Sequence, residues 1–225
     1  MNFQPLKYIY QSSGNATANT LLLLHGTGGD ERDLLPLAKD FGPGINLLSL
    51  RGNVLEGGMP RFFRRLGMGV FDEQDLLFRT NELVAFVKEL AVKEKFDAGK
   101  VIALGYSNGA NIAGSSLILH PDFLAGAILY RPMQPFKIIG GGVTGQTAGT
   151  RTIGTGRAGE AVPIFLSNGK TDPTIDPADT QRYVEVLKNA GFSVTNYSLP
   201  AGHGLTKKDV DLSIEWYEQR FTNSL

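Results

Sequence analysis

The sequence predicts an α/β fold: one mostly parallel sheet of about seven strands flanked by helices, in a single domain over residues 1–225 with no large lid domain. Two observations carry the prediction. Short apolar runs alternate along the chain with longer stretches of helical period, which is the pattern of βαβ units. Several of those runs are apolar at consecutive positions, as strands covered on both faces must be. No internal repeat and no shift of composition divides the 225 residues, a length that buries a core without covalent staples.

Taken in order, Lys7–Gln11 reads as the first strand and Thr20–Leu24 as the second. The polar stretch Ser12–Asn19 between them reads as a hairpin loop, so the sheet is expected to begin antiparallel. Asn46–Arg51 is the third strand. Met59–Phe71 then carries Met59, Phe62, Phe63, Leu66, Met68 and Phe71 in a pattern too irregular for an amphipathic helix. Glu73–Phe96 places Leu76, Leu83, Val87 and Leu90 on one helical stripe. Val101–Tyr106 is a strand. Asn108–His120 is a helix whose first turns hold small residues, Gly109, Ala110, Ala113 and Gly114, that permit close approach to a sheet, and Pro121 stops it. Gly126–Tyr130, Pro163–Ser167 and Val194–Leu199 are strands. Pro177–Ala190 starts with proline in its first turn and ends before Gly191, while Thr206–Phe221 sets Val210, Ile214, Tyr217 and Phe221 on one face. Residues 140–159, with eight glycines and five threonines, have no period and read as a surface excursion or as a flap beside the active site.

Composition narrows the chemistry. Lys plus Arg and Asp plus Glu both number 22, so no net charge draws the protein to nucleic acid or to an anionic membrane. The chain has no cysteine, which excludes disulfides, thiolate metal sites and a cysteine nucleophile. It has no H-E-x-x-H or other histidine cluster, and no metal or cofactor is expected. The first ten residues lack the basic and apolar regions of a secretory signal. The longest aliphatic run, Leu21–Leu24, is far short of the ~20 residues that span a bilayer. The cytoplasm is the expected compartment, and a homodimer is left open.

Gly105-Tyr106-Ser107-Asn108-Gly109 fits G-x-S-x-G. Its setting gives it weight: it follows an apolar strand and opens a helix of small residues, as a nucleophile elbow requires. A serine hydroxyl needs a base, and there are three histidines. His25 lies in the turn His25-Gly26-Thr27-Gly28-Gly29, and His120 ends a helix where it is expected to cap carbonyls. His203, in Gly202-His203-Gly204 after the last strand, lies on the sheet edge that presents Ser107. The orienting carboxylate should come from a third loop of that edge. Asp172 in Lys170-Thr171-Asp172-Pro173 fits; Asp176 and Asp179 are rivals, and Asp176 before Pro177 reads as a helix N-cap. The amides of Thr27 and Asn108 would form an oxyanion hole. At least one of Met59, Phe62 and Phe63 is expected to line the acyl or alcohol pocket, unless all three only pack their loop onto the body.

With HGTGG, GYSNG, GKTDP and GHG in that order, the chain resembles the α/β-hydrolase superfamily, and within it the small lidless carboxylesterases related to acyl-protein thioesterases and lysophospholipases. The stretch Arg51-Gly52-Asn53, Gly58-Met59-Pro60-Arg61-Phe62-Phe63-Arg64-Arg65 and Arg79-Thr80-Asn81-Glu82-Leu83 is similar to bacterial carboxylesterase-like hydrolases associated with methylhydroquinone resistance. The elbow departs from the thioesterases, which carry Phe and Gln where this chain has Tyr106 and Asn108. The resemblance implies Ser107, Asp172 and His203 as the catalytic triad, Thr27 and Asn108 as oxyanion donors, and a small-molecule ester as substrate. The expected activity is that of a serine carboxylesterase acting on short- to medium-chain esters through an acyl-enzyme. A thioesterase or lysophospholipase is the alternative within the class, and a catalytically inactive ligand-binding member of the fold is the alternative outside it.

Overall fold

Seven strands form the central sheet: β1 (Lys7–Gln11), β2 (Thr20–Leu24), β3 (Asn46–Arg51), β4 (Val101–Tyr106), β5 (Gly126–Tyr130), β6 (Pro163–Gly169) and β7 (Ser193–Leu199). Their spatial order is β1-β3-β2-β4-β5-β6-β7, parallel throughout except for β1 against β3. This computed structural model describes residues 3–139, 142–143 and 160–222. Apart from Gly142–Val143, which pairs with Ile138–Ile139, the expectation for residues 140–159 lies outside the described residues.

The antiparallel start is present, but not as a hairpin. β1 pairs with β3 rather than β2. Every residue of β2 is buried between two parallel neighbours, while β1 is exposed at both its ends and suits the sheet edge. The polar segment after β1 therefore carries the chain past β3, pinned where Ser13 N–H and Oγ–H donate to Asn46 Oδ1 at 2.8 and 3.0 Å.

Alternation along β2 divides the core. Leu22 and Leu24 join one cluster, Leu21 and Leu23 the other, on opposite faces of the sheet. The second cluster is covered by the short α1 (Leu35–Ala38), with Leu35 and Ala38, and by α5 (Lys207–Phe221), with Trp216 and Tyr217. The first is covered by α2 (Glu73–Glu94), α3 (Asn108–Leu119) and α4 (Pro177–Asn189). Each leucine of β2 is fully buried, a burial that stabilises by about 1.5–3 kcal/mol per side chain. Caps set the helix ends. Asp72 and Asp176 accept the first-turn amides of α2 and α4, and Thr206 with Asp209 forms a capping box for α5.

The region after β3 that defied a helical reading contains two short hairpins, Val54–Glu56 with Met59–Arg61 and Arg65–Gly67 with Val70–Phe71. They rise from the same sheet edge as the loops after β2, β4, β6 and β7. That edge collects Thr27, Ser107, Asn108, Asp172 and His203.

Candidate active site

Ser107 sits between β4 and α3 with φ 52° and ψ −112°, a backbone conformation that residues other than glycine rarely adopt. Its amide donates to Tyr130 O at 2.9 Å and its carbonyl accepts the Asn111 amide at 3.0 Å, which locks the turn. The flanking glycines are steric necessities. A Cβ at Gly105 would stand 2.6 Å from the Ala110 nitrogen, and one at Gly109 would overlap the Leu24 carbonyl. The spacing thus serves close packing of α3 against β2 and β4, with the hydroxyl lifted above the strand ends.

His203 Nε2 lies 2.9 Å from Ser107 Oγ, and its Nδ1 lies 2.7 Å from Asp172 Oδ2. An ionised carboxylate only accepts, so Nδ1–H donates to Asp172 and Nε2 is left to accept the Ser107 proton. Burial pushes the Asp172 carboxyl up, but hydrogen bonds from Thr174 and His203 outweigh it and hold the group below its ordinary range. Thr174 is central here: its hydroxyl donates to Asp172 Oδ1 at 2.7 Å, its amide donates to the same oxygen at 2.8 Å, and its oxygen lies 2.9 Å from His203 Nδ1. The rival Asp176 caps α4 by accepting the Ala178 amide at 2.8 Å.

The loop that presents His203 is held by residues the sequence did not single out. Arg131, fully buried after β5 and at φ 54°, makes a bidentate ion pair with the equally buried Asp209, Nη1 to Oδ1 at 2.7 Å and Nη2 to Oδ2 at 2.9 Å. Its remaining donors reach Gly202 O at 3.1 Å, Gly204 O at 2.9 Å and Ser167 O at 3.1 Å. Tyr106 Oη–H takes the intervening carbonyl of His203 at 3.1 Å. Residues 202–204 are therefore fixed at each carbonyl. The available signal was an arginine placed directly after five apolar strand residues.

The turn after β2 is braced from the first hairpin. Gly28 N–H donates to Pro60 O at 2.9 Å, Arg61 Nη1 to Thr27 Oγ1 at 2.6 Å, and Phe62 N–H to Asn108 Oδ1 at 2.7 Å. Among the described residues the amides of Thr27 and Asn108 donate to no protein acceptor, and both residues line the cavity at Ser107. His25 belongs to the scaffold: its buried ring donates from Nδ1 to Gly26 O at 2.6 Å and accepts the Gly52 amide at Nε2, 3.0 Å. Burial lowers its pKa. His120 does not cap carbonyls with its ring. Nε2 lies 2.8 Å from Asn81 Oδ1, at the far end of α3 from Ser107.

The expected pocket residues occupy other places. Phe62 and Phe63 are 2% and 0% exposed and pack in the core, Phe62 on His25 and Phe63 edge-on to Phe71. Bulky rings in the short link between the two hairpins gain more from the core beneath them than from an open cleft. Met59 is exposed and stands over Gly28. The cavity at Ser107, about 220 Å³, takes its apolar wall from Met68, Phe71 and Met133 and its polar wall from Arg61, Arg65 and Asn111. Among the described residues no cluster of His, Asp or Glu is arranged to hold a metal ion, and no helix is long and apolar enough to cross a membrane.

No protein-family model matches the chain. Relatives are nonetheless clear. The chain is 44% identical over 214 residues to a Bacillus subtilis (strain 168) protein named "Putative hydrolase MhqD", covering 95% of this chain and 98% of that one. A crystal structure of the Bacillus cereus carboxylesterase matches with a TM-score of 0.85 at 43% identity, over 95% of this chain and 94% of the other. A carboxylesterase from Mesorhizobium loti matches with a TM-score of 0.80 at 28% identity, over 94% and 93%. The sheet order, the elbow and these likenesses agree: the chain belongs to the α/β-hydrolase family, in its small carboxylesterase branch.

Proposed function

We propose that this protein is a serine carboxylesterase that hydrolyses short- to medium-chain carboxylic esters through an acyl-enzyme, with Ser107 as nucleophile, His203 as general base and acid, and Asp172 as the orienting carboxylate. The observation that carries the reading is the unbroken hydrogen-bonded run from Ser107 Oγ through His203 to Asp172, at 2.9 and 2.7 Å. Ser107 Oγ attacks the ester carbonyl as its proton passes to His203 Nε2. Negative charge then develops on the carbonyl oxygen, and the amides of Thr27 and Asn108 stabilise it from a position already fixed by the first hairpin. The imidazolium, held by Asp172, returns the proton to the departing alkoxide. Water, deprotonated by the same nitrogen, releases the acid and restores Ser107.

The size of the cavity supports the chain-length reading. A closed cavity of about 150 Å³ accommodates a benzene ring. One of about 220 Å³ with an open mouth suits a small acyl group. The site of action we assign is the cytoplasm, in keeping with a cysteine-free chain. A series of p-nitrophenyl esters from acetate to palmitate tests the proposal. It predicts the highest kcat/KM between acetate and octanoate and loss of turnover in Ser107→Ala. A maximum at palmitate would favour the thioesterase or lysophospholipase reading, and full activity in Ser107→Ala would overturn the assignment.

A further inference from the structure

The charges around the cavity are unevenly placed. Each formally charged residue that lines it is an arginine: Arg61, Arg65 and Arg131. The carboxylates that answer them stand behind the wall. Asp209 fully engages Arg131 in a bidentate pair, and Asp172 is turned to His203. Arg61 and Arg65 share a single carboxylate, Glu56. It accepts from Arg65 Nε at 2.9 Å and Nη2 at 2.7 Å, and lies 3.2 Å from Arg61 Nε. Two guanidinium groups over one carboxylate leave a positive charge unanswered at the cavity wall.

The Arg61 share of that charge is also poorly hydrated. Arg61 is only 3% exposed, and burial together with the neighbouring Arg65 lowers its pKa against the opposing pull of Glu56. Among the described residues Arg61 Nη2 meets no acceptor, and Arg65 Nη1 meets only the weak acceptor Met68 Sδ at 3.4 Å. Planar donors of this kind recognise a carboxylate by charge and by geometry together.

We propose that the cavity above Ser107 selects anionic esters: the substrate carries a carboxylate on its acyl or its alkoxy part, received by the guanidinium groups of Arg61 and Arg65. The inference rests on the esterase reading and adds a substrate class to it. A neutral ester of the same size still reaches Ser107 but leaves those donors unanswered.

The test compares each anionic ester with its neutral amide counterpart of equal size, by proton release. One pair places the charge on the acyl part (monomethyl glutarate and methyl 4-carbamoylbutanoate), the other on the alkoxy part (3-acetoxypropanoate and 3-acetoxypropanamide). The expected preference in kcat/KM for the anionic member of at least one pair is on the order of 10- to 100-fold. The responsive pair identifies which part of the ester bears the charge. Arg65→Gln should bring the ratio to within about threefold of unity, and Glu56→Gln, which removes the shared carboxylate, should raise it. The ratio is taken within one enzyme preparation, so loss of folded protein cancels. Ratios at or below unity in both pairs, with the amides hydrolysed, overturn the anion site and leave the esterase intact. An undiminished ratio in Arg65→Gln also overturns it. If none of the four esters turns over, the esterase reading falls only where the p-nitrophenyl series is inert as well, and in either case titration calorimetry of glutarate against glutaramide decides the site. Tighter glutarate binding that Arg65→Gln abolishes supports it; equal binding overturns it.

Discussion

Replacing Arg131 with methionine removes the clamp on the His203 loop while keeping a side chain of similar length. Asp209, fully buried, would lose both ion-pair bonds and keep only the hydroxyl of Ser167 and the capping bonds of Thr206. Breaking a buried pair by deleting one partner destabilises by about 3–5 kcal/mol. For a chain of this size each kcal/mol lowers Tm by about 2–4 °C, so a fall of about 6–20 °C is expected. The deficit has a pH signature. Burial pushes the Asp209 carboxyl up, but Arg131, Ser167 and Thr206 outweigh it and hold the group below its ordinary range. Its contribution is thus present above the unfolded value of ~3.9 and lost as pH falls through the lower folded value. In Arg131→Met the unpaired carboxylate takes up a proton more readily, so the gap from wild type narrows as pH drops from 7 towards 4. Activity should fall with it, because the carbonyls of Gly202 and Gly204 lose their donor and a shift of His203 by 1 Å costs on the order of 100-fold in kcat. Thermal melts followed by fluorescence of the buried Trp216, with kcat/KM measured well below the variant's Tm, test both parts. A Tm within 2 °C of wild type together with unchanged kcat/KM would mean that Arg131 does not hold the His203 loop.

The other predictions concern single contacts. Thr174→Val deletes the hydroxyl that bridges Asp172 and His203 and should lower kcat about 10- to 100-fold without changing the melt, with Thr174→Ser restoring it; equal rates would remove Thr174 from the site. Asp172→Asn should leave the fold intact and lower kcat on the order of 10⁴-fold, whereas Asp176→Ala should only destabilise α4 by about 1 kcal/mol, and the reverse result would exchange the two carboxylates. Phe63→Ala should destabilise by about 3–5 kcal/mol and leave the ester chain-length profile alone, while Met68→Ala should shift that profile at little cost in stability. Denaturant titration and the p-nitrophenyl series separate these two effects.

Strand positions were legible because a strand buried on both faces must be apolar at nearly every position, and β2 and β4 leave little room for another reading. The order of strands was not. Nothing local in Lys7–Gln11 records that β3, rather than β2, lies beside it, because neighbour choice is settled by which strand most needs cover. The two hairpins after β3 were invisible for a related reason: strands of two or three residues with Leu55, Met59 and Leu66 exposed carry no period. At the site, Ser107, Asp172 and His203 were legible from turn chemistry and chain order. Arg131 was not, since its partner is 78 residues away and its role is to hold backbone carbonyls, which no side-chain pattern reports. Phe62 and Phe63 misled for the opposite reason: an apolar side chain on a loop announces that it needs cover, not where the cover is.

Everything proposed for the site depends on Ser107 being the activated nucleophile of an ester hydrolase. Mass spectrometry of the intact protein after exposure to a fluorophosphonate, followed by peptide mapping, addresses it without knowledge of the substrate. A single adduct located on Ser107, absent from Ser107→Ala and slowed strongly in His203→Ala, is the predicted result. Folded wild-type protein that takes up no adduct, or that carries it on another residue, would contradict the account.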